Sequence, residues 1–180
     1  MRSNTFSTLA LSLSLMFGGL AAATPAMAKD SVAQVQAMVA QTKVTLAQAV
    51  QAALAVVPGK ALDAQLDDDK GQVRYEVEII TPQGHSVEVW VNATTGVAVQ
   101  HEDDGPAKRK ERERLEASKI TLLQAIAAAQ KHTPGTVVDA ELSNDWGQTA
   151  FAVDVLTAKG RLMEVKVSPE DGRVLRSKPD

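Results

Sequence analysis

The stretch VTLAQAVQAALAVVPGKALDAQLDDDKGQVRYEVEIITPQGHSVEVWVNATTGVAV, residues 44–99, is used twice in this chain. Its second version runs from Ile120 to Leu175, displaced by 76 positions without a gap. Thr45, Leu46 and Gln48 return as Thr121, Leu122 and Gln124. Pro58-Gly59 returns as Pro134-Gly135, Asp63-Ala64 as Asp139-Ala140, and Gly71-Gln72 as Gly147-Gln148. Gly84, Glu88, Val89, Val91 and Gly96 return as Gly160, Glu164, Val165, Val167 and Gly172.

Each copy opens with a Thr-x-x-Gln capping box, in which the threonine accepts a backbone proton and the glutamine answers it. Leu46, Val50, Ala53, Leu54 and Val57 then recur at helical period, and Pro58-Gly59 closes the helix. Three strands follow at period two. Leu62, Ala64 and Leu66 alternate with Asp63 and Gln65; Val73, Tyr75, Val77 and Ile79 alternate with Arg74, Glu76 and Glu78; Val87, Val89 and Val91 alternate with Glu88 and Trp90. A short fourth strand is expected over Val97–Val99. The expected fold class is α+β: two tandem copies of a helix packed on a small antiparallel sheet of three to four strands, wet on one face.

Outside the copies, Arg2, the apolar run Leu9–Ala23 and Ala26-Met27-Ala28 form an export signal over residues 1–28. The apolar run is short for a membrane anchor and contains Ser12, Ser14, Gly18 and Gly19. A periplasmic or secreted protein is therefore expected, with no stable membrane insertion after cleavage. Residues 29–43 are a helix-prone extension in which Ser31 with Gln34 fits a capping box, and Ser31–Gln41 reads either as a short first helix or as the frayed start of the helix that follows. Residues 102–119 are a charged linker: loop-like to Gly105, then helical, with Arg109–Glu113 and Arg112–Glu116 as ion pairs. Its Lys108–Arg114 run could be a nucleic-acid patch, but its acids are interleaved and it reads as a solvated helix. Residues 176–180 are a tail. A formal charge of −3 gives no case for a nucleic-acid partner, and the absence of cysteine excludes disulfides and thiol chemistry.

The chain carries no recognisable catalytic constellation, and no cofactor is implied. His85, His101 and His132 share no ligand spacing. Asp67, Asp68 and Asp69 are weak metal candidates: the glycine of a calcium loop would stand at the sixth position, and here Gly71 is at the fifth. Glu76, Glu78 and Glu88 come together in any antiparallel pairing, either as partner contacts or as a solvated face. Trp90 falls on the polar side of its strand and Trp146 in a turn, opposite Lys166 and Lys70 in the other copy. Displaced aromatics of this kind either anchor a partner or are covered internally.

The Thr-Leu-x-Gln-Ala helix start, the Pro-Gly exit, the Asp-Ala strand opening and the strand–turn–strand endings Val89–Gly96 and Val165–Leu175 together resemble the PepSY domain. The resemblance covers both copies. It implies a helix on a small antiparallel sheet in an exported or envelope protein, with no catalytic residues. PepSY units occur in propeptides of some secreted metallopeptidases, where they are associated with inhibition. With no protease domain after the second copy, the expectation is a non-catalytic module that contacts a protein or peptide and modulates a peptidase in trans. The alternative is a metal- or small-ligand-sensing module.

Overall fold

The structure, a computed structural model, describes residues 26–145 and 147–179. The export signal expected at residues 1–28 lies outside the described residues as far as residue 25. Both capping boxes form. Thr45 precedes helix α2 (Leu46–Val56) and Thr121 precedes α4 (Leu122–His132), each accepting from the glutamine N–H while that glutamine's side chain returns to the threonine backbone. Four strands follow each helix. They are β1 (Lys60–Asp69), β2 (Gln72–Ile80), β3 (His85–Asn92) and β4 (Ala98–Pro106), then β5 (Gly135–Asp145), β6 (Gln148–Thr157), β7 (Leu162–Val167) and β8 (Val174–Pro179).

The two expected small sheets are in fact one. The strand order is β4-β3-β2-β1-β5-β6-β7-β8, antiparallel throughout. The join is the β1–β5 ladder, where Asp63 faces Glu141, Ala64 faces Ala140 and Gln65 faces Asp139. Ala64 and Ala140 are the same position of the repeat, 76 residues apart. An approximate two-fold axis therefore passes between them, and the chain is an internal counterpart of an isologous dimer. The linker and tail are also corrected. Glu102–Pro106 extends β4, and Val174–Pro179 is a strand. Neither Glu102–Pro106 nor Arg176–Pro179 has strand-like composition; pairing with β3 and β7 makes each one a strand.

Helices α2 and α4 cover one face. Leu46, Ala49, Val50 and Ala53, with Leu122, Ala125, Ile126 and Ala129, are buried against it. Below them lie Tyr75, Val77, Ile79, Val89 and Val91, with Phe151, Val153, Val155, Val165 and Val167, all inaccessible to solvent. These residues belong to one continuous hydrophobic core. The Tyr75 hydroxyl donates to the Val44 carbonyl at 2.6 Å, tying the start of the repeat to its second strand.

Gly59 and Gly135 serve close approach. A Cβ on either would stand 2.4 Å from a neighbouring carbonyl oxygen, that of Ile80 or of Leu156. Both sites lie just before a register shift, between Ala61 and Asp63 in one copy and between Val137 and Asp139 in the other. The same bulge therefore recurs in both copies.

The duplication extends beyond what the sequence displays. Helix α1 (Ala26–Val39) starts upstream of Ser31, which is thus inside the helix and not its cap; Ala26 and Met27 are good helix formers. Shifted by 76 positions, the second half of α1 falls on helix α3 (Arg109–Ala117). After α1, the N–H groups of Lys43 and Val44 donate to the Ala93 carbonyl; after α3, those of Lys119 and Ile120 donate to Pro169 in the same way. Each helix also reaches the hairpin of the other repeat. Gln36 donates to the Gly160 carbonyl at 3.4 Å, and its counterpart Arg112 lies against Gly84. The register places Gly160 and Ala93 at one end of the sheet, and Gly84 and Pro169 at the other. The two helices therefore strap the β1–β5 join at opposite ends. Of the ion pairs expected in α3, Arg109–Glu113 forms at 2.6 Å, whereas Arg112 turns to Gly84.

Two outcomes are expected in denaturant unfolding. Gly59→Ala and Gly135→Ala should each cost about 1–3 kcal/mol, because the added methyl meets backbone; unchanged stability would mean the strands do not approach this closely. Leu115→Ala, which removes the buried anchor of α3, should cost about 2–5 kcal/mol. A loss within experimental error would show that the helix does not strap the join.

Candidate functional site

Period two sends alternate residues of β1–β3 to the sheet face opposite α2 and α4. Register then aligns them. Glu102, Glu88, Glu78, Asp63 and Glu141 stand directly opposite one another across β4, β3, β2, β1 and β5. Directly opposed side chains have Cβ atoms about 4.5–5.5 Å apart, and like charges there are destabilising. Five carboxylates in one row thus work against folding.

The second repeat has the corresponding row, Asp139, Asp154, Glu164 and Lys178, and supplies its own cations. Glu164 is met by Lys166 and Lys178, each at 3.3 Å, and by Arg176 at 3.6 Å. Lys166 is only 7% exposed and also donates to Ser143 at 3.2 Å.

The first repeat is balanced differently. Ser86 donates its hydroxyl to Glu78, and the Trp90 indole N–H donates to Glu88. Both donors are neutral, so the negative charge stays. Arg74 bonds Glu76 at 2.6 Å, Asp69 at 3.0 Å and Asp67 at 3.5 Å. Asp63 keeps one buried carboxylate oxygen with no hydrogen-bond partner. Burial first, then the charges of Glu141, Glu78 and Glu76, push its carboxyl up to about 7. Asp63, Glu76, Glu78, Glu88, Asp104 and Glu111 line one groove of about 360 Å³. Lys108 shares that groove and is bonded to Glu111 at 3.0 Å.

The residues singled out in the sequence are thus partly gathered. Glu76, Glu78 and Glu88 share the groove. Trp90 borders it through Glu88, but both faces of its ring are filled. The His101 ring stacks on one at 3.4 Å and 14°, and the Arg74 guanidinium lies 3.7 Å from the ring centroid. Two groups this close to a flat ring must take opposite faces. His101 reaches Trp90 from the bulge where β4 shifts register between the partners of Glu88 and Val89. Trp146 lies outside the described residues. Asp67, Asp68 and Asp69 do not converge: two are held by Arg74, and Asp68 accepts from the Gly71 N–H at 2.6 Å. Among the described residues, no group of three His, Cys, Asp or Glu is arranged to hold a metal ion. His85 pairs instead with Asp103 at 3.0 Å.

Asp63, Asp104, Glu111 and Glu141 were not singled out. A signal existed for Asp63: the acid recurs as Asp139 in the Asp-Ala opening, on the predicted wet face of both copies. The other three become neighbours only through the β1–β5 join and the fold of the linker. Chemically, the arrangement concentrates negative potential in a groove walled by the sheet and by α3, where it attracts cationic groups.

Comparison with known proteins agrees with the duplicated architecture. The family model described as "Peptidase propeptide and YPEB domain", PepSY, matches twice, at residues 43–99 and 119–178. The uncharacterized protein YkoJ of Bacillus subtilis (strain 168) is 32% identical over 125 residues, covering 69% of this chain and 68% of YkoJ. Among solved structures, CD1622 of Clostridium difficile 630 is 20% identical with a TM-score of 0.41, covering 67% of this chain and 82% of that one. The YpmB protein of Bacillus subtilis is 15% identical with a TM-score of 0.34, covering 72% of this chain and 96% of that one. Matched along both of its repeats, the chain belongs to the PepSY family, as a tandem pair of PepSY domains.

Proposed function

We propose that this chain is a non-catalytic, exported binding module that holds a cationic segment of a protein or peptide partner on the acidic face of its first repeat. The observation that carries the reading is the contrast between the two rows. In the second repeat, lysine and arginine from β7 and β8 meet the central Glu164. In the first, the counterparts Glu78 and Glu88 receive only neutral donors, the Ser86 hydroxyl and the Trp90 indole N–H. An arginine or lysine side chain entering the groove would supply the missing charge, and the open face leaves room for the rest of a peptide. Export rests on the N-terminal pattern of residues 1–28. In addition, no helix among the described residues is long and apolar enough to cross a membrane. A peptidase acted on in trans is the partner class that the family's description suggests. The metal-sensing alternative has less support, since Arg74 and Gly71 already engage Asp67, Asp68 and Asp69.

Calorimetric titration with a short arginine-rich peptide checks this. Binding should appear at low salt and weaken as salt rises. It should fall roughly tenfold, about 1.4 kcal/mol, in the double variant Glu78→Gln with Glu88→Gln. The corresponding pair in the second repeat, Asp154→Asn with Glu164→Gln, should leave binding unchanged. No binding at low salt, or equal losses from both pairs, would refute the surface. Added to a secreted metallopeptidase, the chain should lower peptide hydrolysis; unaltered hydrolysis would remove the peptidase part alone.

A further inference from the structure

We propose that the join between the two repeats is proton-linked, with Asp63 holding a proton in the folded chain so that acidification tightens, and alkalinisation loosens, the β1–β5 ladder. The argument starts from placement. The ladder that unites the two halves has three residue pairs, and Asp63 belongs to one of them. It faces Glu141 across the join and Glu78 on its other side, so that when ionised it stands between two carboxylates. One of its oxygens is buried and unpartnered. A protonated carboxyl there removes the like-charge repulsion and offers a proton to a neighbouring carboxylate; an ionised one does neither.

The groups facing Asp63 come from every neighbouring element. Strand β2 contributes Glu76 and Glu78, and β5 contributes Glu141. Helix α3 contributes Glu111 and Arg114, which line a shared cavity with Asp63, Glu78 and Glu141. Glu88, Asp104 and Lys108 line the groove on its other side. Acids outnumber the two cations, and Lys108 is already bonded to Glu111. The internal counterpart differs. Asp139 lies opposite the neutral Gln65 across the join. The positions of Glu111 and Arg114 are taken in α1 by Val35 and Met38, which pack with the core.

The direction follows from the raised carboxyl, about 7 when folded against 3.8 for the free group. Between those values the folded chain keeps a proton that the unfolded chain releases. Stability from Asp63 is thus full below the unfolded value, declines as pH rises, and is gone above the folded value. The experiment is a carboxyl-carbon NMR titration of Asp63 in the intact protein, together with melting of the wild type and Asp63→Asn from about pH 4 to about pH 8. The Asp63 midpoint should lie well above the ordinary carboxylate range. Asp63→Asn, which imitates the protonated acid, should gain in Tm over the wild type as pH rises and level off above neutrality. Hydrogen-exchange protection of amides at residues 63–65 and 139–141, corrected for intrinsic rates, should fall with pH more than protection within β3. A midpoint near that of exposed carboxylates overturns the proposal, as does a Tm difference that does not vary with pH. The wild-type titration decides the matter if the variant does not fold.

Discussion

Everything in this molecule depends on the pairing of Ala64 with Ala140. A single PepSY repeat of this length lies near the lower limit at which a domain buries enough surface to fold alone. It would also expose β1 as an open edge. Joining β1 to β5 removes both problems at once. The small methyl side chains let the two halves meet at the axis, and the cores under α2 and α4 become continuous. Helices α1 and α3 then hold the join from opposite ends of the sheet, each set against a hairpin of the far repeat. The outer edges, β4 and β8, are left free but are poor templates for further pairing. Strand β4 carries Glu102, Asp103 and Asp104, two register shifts and a terminal Pro106; β8 is short, with Arg176, Lys178 and Pro179.

The same axis makes the asymmetry of the two wet faces informative. Both copies have an acidic row in the same register, so the acids come with the repeat. What differs is the response to them. Lys166 stands where the first copy has Trp90, and Lys178 where it has Glu102. With these cations, the second face meets the charge of Glu164 internally. In the first, Trp90 is sandwiched by His101 and Arg74, and it gives Glu88 a hydrogen bond without a charge. Like charges kept opposite one another in a folded sheet run against local consistency, and such departures gather at functional positions.

Much of the fold was legible because its signals are local. Thr45 and Thr121 cap their helices as their spacing predicts, and the alternation of Val73–Ile79 and Val87–Val91 sets the buried face correctly. What was not legible arises from distant pairing. The run His101–Pro106 has little strand propensity and is a strand because β3 lies beside it. Asp63-Ala64-Gln65 carries no mark that its far side will meet Asp139-Ala140-Glu141. Trp90 was correctly placed off the core, yet alternation could not show that a bulge brings His101 onto its ring. At the site, Glu76, Glu78 and Glu88 were within reach of sequence reasoning, whereas Glu141 and Glu111 join them only after the two halves meet.

Disulfide trapping tests the join most directly, since the chain has no cysteine of its own. Gln65→Cys and Asp139→Cys would place two thiols directly opposite one another in the β1–β5 ladder. Oxidation should link them within a single chain, giving a monomer on non-reducing gels and one cross-linked peptide pair by mass spectrometry. A bond found only between two chains, or no bond under conditions that oxidise exposed thiols, would contradict the account.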